Sequence, residues 1–479
     1  MSKLKKLAGE TVLYGFGSIF PRMLNFLLVP LHTINTFSTA EYGVFTKLMA
    51  FVAFINVVFT FGMETAFFRF SSKSDANYKQ VFNLAQTCVF LVSVPLSVLF
   101  IIFSQPIASS VGVANHPEFI VWLTLIMLTD AVVAIPFAQL RLQKKAKQFA
   151  LFKIVNVIVL VALNYYFLKF DYDPSINIGY VFLANLIANS LFILFFLRTL
   201  LQWRPAYDKT ISPAMLQYAY PVMLTGVAGM TNEMFSRLTL EWWLPNDFYK
   251  NATKEDALGI FGACYKFAVL MNLGIQAFRY AAEPFFFSNA ADKNSPALFA
   301  KVNHYFVVTG CIVLLGISLN LEILEHFIGT NFRSGMHIVP ILLMAYLLLG
   351  IYYNFSVWFK LTDKTYFGTI ITVGGALITI LGNYWLIPII GYTGSSWAAL
   401  LCYAFMALVC YFFGQKYFPV PYKVFQMLSY LIVTFMIAML VNAFPIANPW
   451  VSHGFHLLIL VVYLTAVYLI EWPRWNKAE

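Results

Sequence analysis

The sequence has few charged residues for its length. Only 11% of its 479 residues are Asp, Glu, Lys or Arg, whereas about 25% is usual in a soluble domain. Hydrophobic residues make up 60% of the chain and stand in long unbroken runs. A β-barrel would instead show alternating segments of roughly ten residues. The composition therefore predicts an all-α integral membrane protein.

Sequence signatures of enzymes and of nucleic-acid-binding proteins are also missing. No Walker loop or glycine-rich phosphate cradle occurs, and the basic residues stand singly or in small groups between apolar runs. The five cysteines lie inside apolar runs without paired ligand spacing, as structural thiols do. Among the seven histidines only His453 and His456 have a ligand-like spacing, and interfacial packing is the preferred interpretation. We predict no catalytic residue, metal, cofactor or nucleic-acid partner.

Fourteen apolar segments can be counted, joined by short loops rich in Pro, Gly, Asn and Asp. Cytoplasmic loops of membrane proteins carry an excess of Lys and Arg. With the N-terminus in the cytoplasm, 22 basic residues fall on that side and 4 on the other. About fourteen transmembrane helices, with both termini cytoplasmic, are therefore expected.

An internal repeat relates the two halves of the chain. YGVF at Tyr42 recurs as LGIF at Leu258, an offset of 216, and RLQKK at Arg141 recurs as KLTDK at Lys360, an offset of 219. Each copy has an even number of spans, so the copies insert in the same orientation as a parallel repeat. The predicted domains are an N-lobe of helices 1–6 (1–205), a C-lobe of helices 7–12 (206–415), and helices 13–14 (416–479).

Five basic residues of the 31 remain inside predicted spans, all of them in spans 1, 2, 7 and 8. They are Arg22, Lys47, Arg237, Lys266 and Arg279. Ionisable groups at membrane depth are costly and usually face a wet cavity, and arginine forks suit phosphate geometry. We expect a cationic central cavity that binds an anionic substrate, such as a phosphate or pyrophosphate. Ion pairing or snorkelling remains an alternative for each of them, above all for Lys47 and Arg237.

Four carboxylates also lie at membrane depth, namely Glu64, Asp130, Glu233 and Glu283. Glu233 precedes Arg237 by four residues and Arg279 precedes Glu283 by four, so each pair shares one helix face. Two roles stay open for these carboxylates: neutralisation of the neighbouring cation, or coupling of transport to H⁺ or Na⁺.

Several stretches resemble the polysaccharide-transport (Wzx-type) flippases of the MOP superfamily. They are LAGETVLYGFGSIFPRMLNFLLVPLHT near the N-terminus, FGMETAFFRF at Phe61–Phe70, and LGIFGACYKFAVLMNLGIQAFRYAAEPFFF from Leu258. The resemblance covers helices 1 to 12 and is most specific in helices 1, 2, 7 and 8. It implies a fourteen-helix exporter that moves an undecaprenyl-diphosphate-linked oligosaccharide from the cytoplasmic to the periplasmic leaflet by alternating access.

The resemblance also implies a location and partners. The expected location is the bacterial cytoplasmic (inner) membrane, and the expected partners are the lipid bilayer, the lipid-linked glycan, and polysaccharide polymerase and assembly proteins. We expect a monomer. Three alternatives remain open: a lipid II flippase, an ion-coupled multidrug antiporter, for which an anionic cavity would be expected, and a membrane glycosyltransferase or polymerase.

Overall fold

A computed structural model describes residues 15, 17, 19–34, 36–71, 77–290, 292, 294–444, 446 and 448–475, without the side chains at 284, 288 and 473–475. These residues form helices and connecting turns, with no strand among them. The helices are α1 (Leu28–Thr33), α2 (Thr39–Thr60), α3 (Met63–Ser71), α4 (Tyr78–Ile102), α5 (Ser104–Ser110), α6 (Pro117–Leu142), α7 (Ala146–Lys169), α8 (Gly179–Phe195), α9 (Leu197–Leu201), α10 (Ile211–Trp243), α11 (Lys254–Asn289), α12 (Ser295–Leu319), α13 (Leu321–Leu324), α14 (Val339–Phe355), α15 (Val357–Leu361), α16 (Tyr366–Ile390), α17 (Tyr392–Tyr417), α18 (Val424–Ala443) and α19 (Pro449–Trp475). Two 3₁₀ segments, Glu325–Phe327 and Thr330–Ile338, precede α14.

Eleven helical stretches in the described part of the chain are long and apolar enough to cross a membrane. This finding confirms a multi-pass, all-helical membrane protein. Of the predicted spans, the sixth corresponds to α8, which is apolar but shorter, and the seventh to α10, which is long but more polar. Much of the first span lies outside the described residues. The count of fourteen stays a prediction.

The chain divides into two compact units. The first comprises the described residues up to Trp242 together with Tyr249–Gly259, and the second comprises Trp243–Phe248 and the described residues from Ile260 onward. In the first unit α6 packs against α4 and α8, and in the second α17 packs against α16 and α14. The domain boundaries read from the repeat stay a prediction.

The second predicted span is broken in the middle. Its first part, α2, begins at a capping box: the Ser38 side chain accepts a hydrogen bond from Glu41 N, and Ser38 N donates to Glu41 Oε2 at 2.7 Å. It ends at Phe61 and Gly62, which have φ of 49° and 66°, before α3 resumes. A Cβ on Gly62 would lie 2.8 Å from the carbonyl oxygen of Ala219 in α10. Only glycine combines this backbone conformation with so close an approach.

Asp208 organises the start of α10. Its Oδ1 accepts hydrogen bonds from Thr210 N and Ile211 N, both at 2.8 Å, and Gln80 Nε2 donates to its Oδ2. The backbone N–H groups of Ile211 and Thr210 hold the pKa of Asp208 below its usual range. The ionised carboxylate thus satisfies backbone donors that a helix start leaves unpaired.

Candidate functional site

Lys47 is buried in an ion pair. It lies on α2 with only 6% of its surface exposed, and its Nζ is 2.7 Å from Glu241 Oε2 of α10. Glu241 was not among the expected carboxylates, although it follows Arg237 by four residues and shares its helix face. Because both side chains are almost completely buried, neither can lose its partner without leaving a buried charge.

The starts of α2 and α11 cross closely beside this pair. A Cβ on Gly43 would lie 2.0 Å from Glu255 O, and a Cβ on Gly259 would lie 1.8 Å from Thr39 O. Gly43 and Gly259 differ by the repeat offset of 216, as do Thr39 and Glu255. Equivalent residues of the two repeats therefore face each other, and the helix backbones touch because neither glycine has a side chain. Thr39 Oγ1 also donates a hydrogen bond to Asp256 Oδ1.

A cluster of charged and amide side chains occupies the interior of the first unit. Asn156 Nδ2 donates to Asn189 Oδ1 and Asn189 Nδ2 donates to Asp130 Oδ1, each at 3.1 Å. The Asp130 carboxylate interacts electrostatically with Lys153. The Nζ of Lys153 also lies 4.3 Å from the ring centre of Phe137. Lys153 is one of the 22 basic residues counted in cytoplasmic segments, but the structure places it within α7, half-buried. Helix α7 begins at Ala146, seven residues before Lys153.

Two of the predicted residues, Glu64 and Arg22, lie near this cluster. Glu64 Oε1 accepts from Arg141 Nη2, and the Arg141 guanidinium lies 4.9 Å from the ring centre of Phe68. Arg22 is exposed, and its charge also acts on Lys153. Two more, Arg237 and Glu233, are half-buried on α10, with Arg237 Nη1 2.7 Å from Met234 Sδ.

The second unit holds the remaining predicted residues on α11. Lys266 is half-buried, whereas Arg279 is exposed with its Cζ 4.9 Å from the ring centre of Tyr353. Glu283 accepts from Lys360 Nζ and not, as one alternative had it, from Arg279. Lys360, one of the 22 basic residues counted on the cytoplasmic side, is part of the short helix α15. Within the described residues Arg279 makes no ion pair.

An apolar groove runs between α18 and α19 in the second unit. Its volume is about 750 Å³. It is lined by Val433, Ile437, Leu440, Val441, Phe444, Phe455, Leu458, Ile459, Val462, Tyr463 and Ala466. The hydroxyl of Tyr463, the one polar side-chain group in this lining, is hydrogen-bonded to Thr434 Oγ1 at 2.7 Å. The groove therefore suits a hydrocarbon chain and offers nothing to a charged ligand.

Comparisons with known proteins identify the family and the fold. A family model described as "Polysaccharide biosynthesis protein" matches residues 37–276, which is half of the chain. No curated protein sequence matches. Among solved structures, the fold is similar to the lipid II flippase MurJ in its inward closed conformation, with a TM-score of 0.75, 15% identity, and coverage of 96% of this chain and 99% of MurJ.

Multidrug transporters are similar as well. The inward-facing conformation of a multidrug resistance MATE family transporter of the MOP superfamily matches with a TM-score of 0.60 and 15% identity, over 87% of this chain and 94% of that chain. Its outward-facing counterpart matches with a TM-score of 0.59 and 13% identity, over 87% and 96%. The chain therefore shares its fold with these solved flippase and transporter structures. The chain thus belongs to the polysaccharide biosynthesis protein family and has the MOP-superfamily fold expected of a Wzx-type flippase.

Proposed function

We propose that the protein flips an undecaprenyl-diphosphate-linked oligosaccharide from the cytoplasmic to the periplasmic leaflet of the bacterial inner membrane. The observation that carries this proposal is the state of Arg279. Its guanidinium is exposed, rests on the Tyr353 ring, and makes no ion pair in the described part of the chain. A cation at membrane depth that makes no ion pair of its own is available to an anionic substrate, and its planar fork fits a diphosphate.

The lipid part of the substrate needs a different environment. A polyprenyl chain is too apolar to enter a cavity with charged walls, so it must stay in contact with hydrocarbon during transport. The apolar groove between α18 and α19 supports such a path because it can hold part of a chain while the head group crosses.

Alternating access requires that one side of the transporter close while the other opens. We assign the Gly43–Gly259 crossing and the Lys47–Glu241 pair to the closure on the periplasmic side, where the loop charges place both helix ends. Opening that side then requires the two helix starts to separate. The free energy would come from differential binding of the substrate or of a coupling H⁺ or Na⁺ to the two states.

Asp130 is the strongest candidate for coupling among the four predicted carboxylates. The amide of Asn189, which itself accepts from Asn156, can hydrogen-bond either the charged or the protonated form of Asp130, and Lys153 supplies a nearby positive charge. Glu64 and Glu283 each already bind a cation of their own unit. We further propose that both termini are cytoplasmic, that the protein acts as a monomer, and that polysaccharide polymerase and assembly proteins use its product.

A charge-reversal experiment tests the function. In a strain lacking the protein, the lipid-linked precursor should accumulate on the cytoplasmic leaflet, and mass spectrometry of that lipid should identify the glycan. Wild-type protein should restore export, Arg279→Glu should not, and Arg333→Glu should. Arg333 is a suitable control because its guanidinium already pairs with a carboxylate, that of Glu325. Export by the Arg279→Glu variant would contradict the proposal.

A lipid II flippase is the second candidate. The extent of the likeness to MurJ favours it, since nearly the whole of both chains is matched. Both candidates take a polyprenyl diphosphate and differ in the attached sugars. Lipid II accumulating in the deletion strain, in place of an oligosaccharide precursor, would assign the protein to this second function.

A further inference from the structure

The two repeats contain the same ion pair. In the first unit Glu64 binds Arg141, and in the second Glu283 binds Lys360. The two carboxylates are 219 positions apart in the sequence, and so are the two cations. The same offset relates RLQKK to KLTDK. A carboxylate in the second predicted span of each repeat is thus paired with a cation on a later segment in both units. The pair is a property of the repeat unit and not a chance contact of one lobe.

The pair of the second unit lines a small cleft. Arg279, Tyr353 and Asn354 line the same cleft beside Glu283 and Lys360. Its free volume is about 20 Å³, room for one water-sized group. A larger anion can therefore enter only where the Glu283 carboxylate leaves.

Asn354 supplies a polar atom that lacks a partner. Its residue is 5% exposed and its Nδ2 donates to Gly350 O at 3.2 Å, but its buried Oδ1 accepts no hydrogen bond within the described residues. A buried acceptor without a donor costs free energy that a ligand can recover by donating to it. A sugar hydroxyl or an amide N–H would satisfy it, whereas a phosphate oxygen would not.

The net charge of the cleft also favours an anion. Arg279 and Lys360 contribute two positive charges, and Glu283 contributes one negative charge. The Glu283 carboxylate occupies on Lys360 the place that a phosphate oxygen would take, because both bind an ammonium group through charge-assisted hydrogen bonds. At side-chain exposures of 30% and 36% this pair is weak enough to exchange.

From these observations we infer that the cleft is a subsite for one phosphate group of the transported lipid, in the place of the Glu283 carboxylate, and for one hydroxyl of the first sugar, in the free volume. Arg279 and Lys360 bind the phosphate group, Tyr353 positions the Arg279 guanidinium, and Asn354 Oδ1 accepts a hydrogen bond from the sugar. Glu283 holds Lys360 in the empty protein and is displaced when the diphosphate binds. The inference rests on the proposed function and adds Lys360, Tyr353 and Asn354 to the predicted substrate residues.

Calorimetric titration with inorganic pyrophosphate tests the subsite, using the full-length protein in lipid nanodiscs. Lys360→Gln should weaken pyrophosphate binding about tenfold, which corresponds to one charge-assisted contact. Glu283→Gln should strengthen binding about fivefold, since the competing charge is gone while the amide can still accept from Lys360. Arg333→Gln removes the cation of the similarly exposed pair with Glu325 and should leave binding unchanged.

The opposite effects of these two variants on pyrophosphate affinity distinguish a substrate subsite from a purely structural salt bridge. If the pair only stabilised the fold, Glu283→Gln and Lys360→Gln would act in the same direction, and that result would overturn the inference. Absence of pyrophosphate binding to the wild-type protein would also overturn it. Should Lys360→Gln fail to fold, Lys360→Arg keeps both the pair and the cation, and it must retain pyrophosphate binding.

Failure of the subsite and failure of the proposed function give different results. The subsite alone would be rejected if cells export the glycan while the Glu283 and Lys360 variants bind pyrophosphate as the wild type does. The expected binding pattern without any leaflet-to-leaflet movement of a polyprenyl-diphosphate lipid would reject the proposed function and leave an anion site.

Discussion

Removing one partner of the Lys47–Glu241 pair should destabilise the protein strongly. Because the two side chains are only 7% and 11% exposed, either single change leaves a buried charge without its partner. Breaking a buried pair in this way costs about 3–5 kcal/mol. Lys47→Met and Glu241→Gln should each reduce the free energy of unfolding by that amount, as measured by equilibrium denaturation in detergent micelles.

The double variant Lys47→Met/Glu241→Leu completes this test. Replacing both charges with apolar groups of similar size is often neutral or stabilising by about 1–4 kcal/mol, so the double variant should be more stable than either single one. If each single variant lowered the free energy of unfolding by less than about 1 kcal/mol and the two effects were additive, the pair would not behave as a buried ion pair. Glycan export by the double variant then decides between two roles: a latch alone permits export, whereas a Lys47 that binds diphosphate does not.

Three further predictions follow from other parts of the structure. Gly259→Ala should lower the free energy of unfolding by about 1–3 kcal/mol and reduce export, because the added Cβ would overlap Thr39 O. Gly274→Ala on the same helix should not destabilise the protein, because a Cβ there would have no atom within 4 Å. Ala466→Trp should fill the apolar groove and slow export about tenfold, roughly 1.4 kcal/mol of barrier, at unchanged thermal stability. Asp208→Asn should lower the unfolding temperature at pH 7. That difference should vanish as the pH falls through the pKa of Asp208, because a carboxylate with a lowered pKa stabilises the fold only while it is ionised.

Each of these predictions has a result that contradicts it. Equal stability of the Gly259→Ala and Gly274→Ala proteins would mean that α2 and α11 do not touch at their starts. Normal export by Ala466→Trp would remove the groove from the path of the lipid. A loss of stability in Asp208→Asn that persists after acid has protonated the Asp208 carboxylate would show that the ionised form is not responsible.

The existence and placement of long apolar helices could be predicted from the sequence, because an apolar run long enough to span a bilayer has few alternatives to a helix. One of the fourteen apolar segments counted in the sequence, Glu118–Leu140, lies within α6, for example. The break between α2 and α3 could not be predicted. It depends on the close approach of Gly62 to Ala219, a residue far away in the sequence.

The candidate site was less predictable than the fold. Residue spacing along a helix shows which side chains share a face. On that basis the sequence predicts that Arg279 and Glu283 are neighbours. The structure instead joins Glu283 to Lys360, 77 residues later, and Lys47 to Glu241, 194 residues later. These partners are set by how helices pack, and a single sequence carries no direct signal of that. The repeat does contain such a signal, since offsets of 216 and 219 relate the paired glycines and the paired ion pairs.

Movement of a lipid between leaflets is the most direct test of the central claim. The purified protein should be reconstituted into vesicles containing a fluorescent undecaprenyl-diphosphate-linked oligosaccharide, with a membrane-impermeant reagent quenching the label on the outer leaflet. The account predicts that the wild-type protein makes the inner-leaflet label accessible and that Arg279→Glu does not, while Arg333→Glu does. Equal rates for the wild type, Arg279→Glu and empty vesicles would contradict it.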